Sequence, residues 1–483
     1  MISGLNPPQL DTVPLQNLYD FLKPVIVPST SPEAKFTNWA KTFVCKPLAV
    51  FEPTDEFQCE VILAIARREG KVVRAVGVGH SPSDLACTNE FMLRTRHLNR
   101  VLSVDFEKRR VVAQGGITLN DLHARLDEHG LAMINVGSIS DQTLAGIVTT
   151  ATHGTGIHYG VMSTHVLSLT LLLADGSRVN CSRYERPDLF IASICGLGST
   201  GLILNIELEV EPAFRLREET YSRPFEDIVS KIDAVARSAE HARLYWFPAA
   251  DSVRVSLLNR THEEKTSNGS WVWDSMIGHH VLQMMLFIGR YFGIFNLWAT
   301  HLAAWLVSAD SIGVDDGYTK FNLDCRYLQY TTEWAIPYEN TEACLRELHH
   351  YFREENADPE GARTHFPIEV RFSAPDDIWL SPSNGCQTCW IGIVQYKPYG
   401  FSVPYRKLFD GFEKILARHQ GRPHWAKAHP LLPEDLRKLY PDFDKFIQVL
   451  EQVDPSGVFR SEYIQRHFMG KLVDRRAFKA RRT

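Results

Sequence analysis

Several things are scarce in this 483-residue chain. It has only nine cysteines, an odd number at irregular spacing, which excludes a secreted disulfide scaffold. The single CxxC, Cys386 to Cys389, has no second pair to complete a zinc site and reads as two buried or loop thiols. Basic charge is not in excess: 52 Lys and Arg stand against 57 Asp and Glu, a net charge of −5. That balance argues against nonspecific nucleic-acid binding. No basic residue precedes Lys23, while Pro7, Pro8, Pro14, Pro24, Pro28 and Pro32 crowd the start. Secretory signals and mitochondrial presequences need early positive charge, so neither is expected. Residues 1–40 read instead as an extended, proline-rich tail packed on the body. Internal repeats and low-complexity tracts are missing too.

What remains is an ordinary globular composition, 44% hydrophobic and 23% charged, in a chain too long for one core. From about Lys41 to Arg215, short helix-like and strand-like pieces alternate. Phe57 to Glu69 has helical periodicity and stops at Gly70. Val72 to Val76 is β-branched. Val101 to Asp105 and Arg110 to Gln114 form a hairpin pair. Thr118 caps a helix that runs from Leu119 to a stop at Gly130. Strands are expected at His165 to Ala174 and Leu202 to Val210. From about Leu216, helix-like segments (Phe225 to Arg237, Thr341 to Phe352, Tyr405 to His419) flank strand-like ones (Val253 to Leu258, Ile368 to Phe372, Cys389 to Gln395). The expected class is α+β. The expected units are an extension over 1–40, a domain over 41–215, a second over 216–470 and a basic tail over 471–483.

One segment stands apart. Tyr291 to Ala309 contains no Asp, Glu, Lys or Arg, but Asn296, Thr300 and His301 interrupt it. With the apolar run from Met276 to Gly289, which carries His279 and His280, it reads either as a pair of buried helices or as a monotopic membrane surface. On the second reading Tyr291, Phe292, Phe295, Trp298 and Trp305 lie at the interface. The tail after Gly470 has six basic residues and one acid, and reads as solvated or as touching an anionic lipid surface.

Three glycine-rich stretches are candidates for ligand contact. Val76-Gly77-Val78-Gly79-His80-Ser81 follows a strand; its glycines let backbone N–H groups close on an anion, and the histidine would lie beside the ligand. A structural turn is the plain alternative. Gly137-Ser138 through Thr143, Gly146 and Thr150-Ala151-Thr152-His153 is dense in glycine and small hydroxyls, suited to a long polar ligand. Gly196-Leu197-Gly198-Ser199-Thr200-Gly201 spells GxGxxG but precedes a strand and follows a helix, so it is read as a tight crossing and not as a dinucleotide fingerprint. Elsewhere, Glu369 and Arg371 share one face of a strand while Val370 and Phe372 take the other. They can hold and polarise a hydroxyl-bearing substrate, or form a surface ion pair on an edge strand. His424, Trp425, Lys427 and His429 fall in one loop. No metal site is expected.

Taken in order, these motifs resemble the aldonolactone oxidoreductases of the vanillyl-alcohol-oxidase type, over nearly the whole chain. The resemblance begins at Asn38-Trp39 and includes Val76 to Asp84, Asn135 to Ser140, Trp334 to Pro337, His365 to Phe372, Arg422 to His429 and Asp454 to Phe459. It implies a two-domain fold with bound FAD in the first domain, joined covalently to His80 through the flavin 8α-methyl. It implies FAD contacts at Val76, Gly77, Val78, Gly79, Ser81, Ser138, Thr143, Gly146, Thr150, Ala151, Thr152 and His153, with Ile203 on the adenine side. The second domain would cap the flavin and hold a sugar lactone. Hydride would pass from lactone C2 to the flavin, with Glu369 and Arg371 orienting substrate and stabilising the developing alkoxide. Lys427 would lie near the flavin N1 end. Molecular oxygen would reoxidise the flavin to give hydrogen peroxide, and Gly115 would leave the oxygen path open. The product would be an ascorbate-type enediol, and D-arabinono-1,4-lactone is the expected substrate, ahead of L-gulono- and L-galactono-1,4-lactone. A cytochrome-c-linked dehydrogenase and a non-catalytic flavin-binding membrane protein are the alternatives. The expected location is an intracellular membrane, mitochondrial before endoplasmic reticulum.

Overall fold

The computed structural model describes residues 2, 4–266, 280–323, 327–474 and 476–480. Met276 to His279, Cys325, Arg475 and residues 481–483 therefore lie outside the described residues.

The first half is built on two sheets. A parallel sheet of three strands sets Phe91–Arg94 between Ala49–Phe51 and Val73–Val76. An antiparallel sheet of five runs in the order Arg178–Ser182, Val166–Leu172, Leu202–Glu209, Arg110–Gln114, Val101–Asp105. The helix Glu56–Glu69 begins at Asp55, whose carboxylate accepts from Gln58 N, and ends at Gly70 in the left-handed region with φ 62°. The helix Leu119–Asp127 begins where Thr118 Oγ1 accepts from Asp121 N at 3.2 Å. The second half is one eight-stranded antiparallel sheet: Ser311–Asp316, Arg215–Pro224, Ser252–Thr261, His241–Phe247, Ile368–Ser373, Thr388–Tyr396, Gln329–Pro337, Arg422–Pro423. Helices Thr341–Ala357 and Arg406–Arg418 bury Leu345, Leu348, Phe412 and Leu416 against one of its faces. The other face looks toward the first half. The mixed content is α+β.

Four expectations need correction. Residues 1–40 are not extended: Leu15–Leu22 is a helix between Pro14 and Pro24, because Leu15, Leu18 and Leu22 recur at helical spacing. Leu18 and Leu22 are buried in one cluster with Ile62 and Leu63 of Glu56–Glu69. The stretch Phe225 to Arg237 is two short helices, Phe225–Val229 and Ile232–Ala236, broken at Ser230 and Lys231. There Ser230 Oγ bonds back to Glu226 O at 2.6 Å, a bond that competes with helix continuation. The basic tail is not simply solvated, since Phe478 is buried beside Phe36 and Phe43 and Ala480 N donates to Thr42 O. Finally, Ile368–Ser373 is a central strand, flanked by His241–Phe247 and Thr388–Tyr396, and not an edge.

Of the apolar segment, the described part is two helices, Leu282–Ile288 and Ile294–Leu306, joined by a turn. One side buries Leu282, Leu286, Ala299 and Ala303. The other leaves Tyr291 69%, Phe292 63%, Trp298 52% and Trp305 61% exposed. Among the described residues, no helix is long and apolar enough to cross a membrane.

Candidate active site

The turn after the strand Val73–Val76 is held from outside. Trp39 N donates to Gly79 O at 2.9 Å, Asn38 Nδ2 donates to Ser81 O at 3.0 Å, and the Trp39 ring stacks on His80 with centroids 5.2 Å apart. Two glycines are required here. Gly79 sits at φ 75°, and a Cβ on Gly77 would lie 2.2 Å from Thr143 Oγ1. The two stretches thus meet, glycine on hydroxyl, along one wall of a cleft that is part open to solvent.

Val76, Gly77, Val78, Gly79, His80, Ser81, Thr143, Gly146, Thr150, Thr152 and Ile203 all line that cleft. Ala151 does not: it is fully buried at φ 49°, behind the wall. Ser138 and His153 line a second cavity instead. Sequence reasoning missed Leu197, Gly198 and Gly201, which close the cleft from the loop read only as a crossing. That loop does join the helix Pro187–Ser193 to the strand Leu202–Glu209, as read. Gly198 at φ 68° and Gly201 at φ 151° were the available signal.

The cleft fits an FAD. Its wall is glycine, small hydroxyl and backbone, as close passage of a pyrophosphate and ribose requires. His80 Nδ1 is buried without a hydrogen-bond partner at the cleft's edge. Burial, opposed by Asp141 and aided by Lys427, holds the His80 pKa below the usual histidine value, which favours the neutral ring at pH 7.

The second cavity, about 340 Å³, shares Gln142 and Thr152 with the cleft. Sheet register assembles it. Tyr245 pairs with Glu369, Glu369 with Gly392, and Gly392 with Glu333, so four neighbouring strands put one row on one face. Gly392 leaves a gap between the two carboxylates. Arg371, two residues along from Glu369, reaches into this row. Its Nη2 lies 2.9 Å from Glu333 Oε1 and 3.3 Å from Glu369 Oε2, and its Nη1 donates to Ser138 Oγ at 3.2 Å. Lys427 Nζ is 3.8 Å from Glu333 Oε2.

Glu333 is thus the hub of the cluster, and it was not foreseen. Burial alone would raise its carboxyl, but Arg371 and His153 outweigh it and hold the pKa well below the usual range. Burial would lower the Arg371 pKa, yet Glu369 and Glu333 raise it, so the guanidinium is charged throughout. Both ring nitrogens of His153 face oxygens, Glu333 Oε1 at 3.2 Å and Gly154 O at 3.0 Å. Burial, then the Arg371 charge, push its pKa down to about 4. His153 also stacks on Trp390, centroids 3.7 Å apart. Of the loop motif, His424 and Lys427 line the cavity and Trp425 is buried behind it, while His429 turns away to bond Tyr463 Oη at 2.8 Å. His153, Glu333 and His424 place ligand atoms within 4.8 Å of one another, but Arg371 and Lys427 already neutralise that carboxylate. Three polar atoms around this cavity are buried and unsatisfied: Glu369 Oε1, Arg371 Nε and Tyr245 Oη. Cys386 and Cys389, the CxxC pair, are free thiols, half-buried and buried.

Comparison with known proteins agrees with this arrangement. Residues 47–182 match an FAD binding domain, and residues 206–467 match the D-arabinono-1,4-lactone oxidase family. An L-gulonolactone oxidase of Scyliorhinus torazame is 39% identical over 435 residues, 90% of this chain and 98% of the relative. An L-gulono-1,4-lactone dehydrogenase of Mycobacterium tuberculosis is 32% identical across 89% of this chain and 98% of its own. A D-arabinono-1,4-lactone oxidase of Yarrowia lipolytica is 28% identical across 88% and 95%. The cholesterol oxidase of Brevibacterium sterolicum superposes with a TM-score of 0.75 at 15% identity, covering 93% of this chain and all of that one, which establishes the vanillyl-alcohol-oxidase-type fold alone. With a family match over more than half its length and relatives above 30% identity along most of it, the chain belongs to the D-arabinono-1,4-lactone oxidase family of FAD-dependent sugar-lactone oxidoreductases.

Proposed function

We propose that this enzyme oxidises an aldono-1,4-lactone at its C2 hydroxyl, with FAD joined covalently to His80 and molecular oxygen as the acceptor. FAD-dependent lactone oxidation follows from the family. The observation that supports the residue assignment is that Gln142 and Thr152 line both cavities, the second of which holds Glu369, Arg371 and Lys427. FAD, when bound there, supplies the acceptor for the C2 hydride. The protein's own part is positional and electrostatic. Glu369 Oε1, buried without a partner, accepts the C2 hydroxyl hydrogen. Arg371 stabilises the negative charge that develops on that oxygen, and Lys427 would lie near the flavin N1 end. Glu333 fixes both cations, and the neutral rings of His153 and His424 add no competing charge.

Two features support the finer reading. Nδ1 of His80 is buried at the cleft's edge with no hydrogen-bond partner, which leaves it available to the cofactor. Gly115 lies behind the cleft wall, where a Cβ would come within 2.8 Å of Ile203 O and 3.0 Å of Ala145 Cβ, so an alanine there would have to shift two residues that line the cleft. Identity favours L-gulono-1,4-lactone over the expected D-arabinono-1,4-lactone as preferred substrate: 38–39% to the L-gulonolactone oxidases, 28% to two of the D-arabinono-1,4-lactone oxidases. The exposed aromatic side of the hairpin supports association with one leaflet of an intracellular membrane.

Acid denaturation tests the bond: yellow colour should stay with the wild-type polypeptide and leave with His80→Ala, and colour released from wild type overturns it. Oxygen uptake with lactone alone tests the acceptor. Reduction of cytochrome c without oxygen uptake would make the enzyme a dehydrogenase.

A further inference from the structure

A third cavity lies at the turn of the helical hairpin, walled by that turn and by residues 359–363 and 402–408. It shares no lining residue with the other two. Three arginines reach it, Arg290, Arg363 and Arg406, and among the described residues none has a carboxylate within ion-pair distance. Lys407 also lines it but is paired with Glu355 at 3.0 Å, and Glu360 is the one acid on the wall.

The site is shaped around these guanidiniums. Arg290 Nε donates to Ser402 O at 3.0 Å, and its guanidinium lies 4.8 Å from the Phe401 ring centre. Arg363 Nη2 donates to Asp358 O at 3.2 Å, while its Nε is buried with no partner. A Cβ on Gly293 would lie 2.2 Å from Arg363 Nη1, so a methyl there would have to displace the Arg363 guanidinium. On the same turn Tyr291 and Phe292 are exposed, as are Ile294 at the start of the second helix and Trp298 one helical turn on. Uncompensated guanidiniums call for an anion, and their fork matches two phosphate oxygens. Aromatic groups beside such a charge belong at the boundary of headgroup and acyl chain.

We propose that this cavity binds the phosphate of an anionic phospholipid whose acyl chains lie along the exposed aromatic side of the hairpin. The proposal rests on the membrane reading above and adds a lipid preference to it. A basic residue near an anionic bilayer is worth about 1 kcal/mol, or about fivefold in partitioning.

Full-length holoenzyme would be sedimented with vesicles of phosphatidylcholine and with vesicles that also contain phosphatidylglycerol. Wild type should prefer the second. Arg290→Gln and Arg363→Gln should each cut that preference about fivefold, with lactone turnover and binding to phosphatidylcholine alone unchanged. Gly293→Ala, which displaces the Arg363 guanidinium without removing charge, should lower it too, and stands in should R363Q fail to fold. A preference that survives in all three variants overturns the site. So does an Arg363-dependent rise in Tm with inorganic phosphate in a protein that ignores vesicle composition, which would mark a soluble-anion site. Wild type bound equally to both vesicles sinks the lipid site and leaves the membrane reading standing. Binding to neither sinks both.

Discussion

The cleft assigned to FAD and the cavity assigned to the lactone are built from opposite materials. The cleft wall is backbone, glycine and small hydroxyls contributed by a few contiguous stretches. The cavity wall is long charged and aromatic side chains, one or two from each of several strands, brought into a row by register. A backbone wall is disturbed by adding atoms. A charged wall is disturbed by removing them, because each charge is balanced by its neighbours in a buried setting. The two regions should therefore fail in different ways, and variants can show whether they do.

The largest effect is expected in the cavity. Arg371 balances two carboxylates and, on the proposed reading, stabilises the charge on the reacting oxygen. Arg371→Met should lower kcat/KM by about 10²–10³. Arg371→Lys should recover only part, because an ammonium cannot reach Glu333, Glu369 and Ser138 together. Flavin content should stay near wild type in both. Loss of flavin instead would mean that the two regions are not separable. In the cleft, Gly77→Ala sets a Cβ against Thr143, an overpacking of about 1–3 kcal/mol. It should show as lost flavin absorbance per polypeptide, with the remaining loaded enzyme turning over normally.

The same contrast explains what the sequence revealed. Val76 to Ser81 could be read directly, because a contiguous turn carries its own geometry: a strand, two glycines, and a histidine held at the end. The parallel logic reads Gly196 to Gly201 correctly as a helix-to-strand crossing but misses that it lines the cleft. Glycines were tied to one topology, strand then helix, whereas here the reverse order also brings backbone to the cleft. Glu369 and Arg371 were legible from strand alternation, but whether their strand was central or at an edge depends on partners over a hundred residues away. Glu333 was missed although it lies directly before the marked Trp334. The signal was there: Gln329, Thr331 and Glu333 share one face of a strand whose other face buries Trp334 and Ile336. Only the pairing of Glu333 with Gly392 and of Gly392 with Glu369 gives that face its meaning. At the start of the chain, prolines were read as extension when Pro14 and Pro24 bracket a helix.

Glu333 supplies a pH test of the charged wall. Its folded pKa is depressed, so the unfolded chain binds more protons at acid pH than the folded one. Its contribution is complete above the ordinary glutamate value, about 4.3, and disappears as pH falls toward the depressed folded value. Glu333→Gln should lower stability by about 2 kcal/mol at pH 7 and should flatten the fall in Tm below pH of about 4.5. A variant that keeps the wild-type slope would show that other carboxylates control acid unfolding and that Glu333 is not the hub its distances indicate.

The smallest expected effect is the one that bears most directly on the boundary between the two regions. Ser138 belongs to the glycine- and hydroxyl-rich stretch that otherwise serves the cleft, yet its Oγ accepts from Arg371 Nη1 in the cavity. Ser138→Ala removes one hydrogen bond to a charged group that keeps its carboxylate partners. The cost should be about 1 kcal/mol, read as a roughly fivefold loss in kcat/KM with flavin content and covalent attachment unchanged. If Ser138→Ala instead sheds flavin, Ser138 acts from the cleft side and the stretch works as a single cofactor-binding unit. If it slows lactone turnover alone, one stretch of chain serves both sites, and the positioning of Arg371 across the sheet is the link through which the first half of the molecule shapes the chemistry of the second.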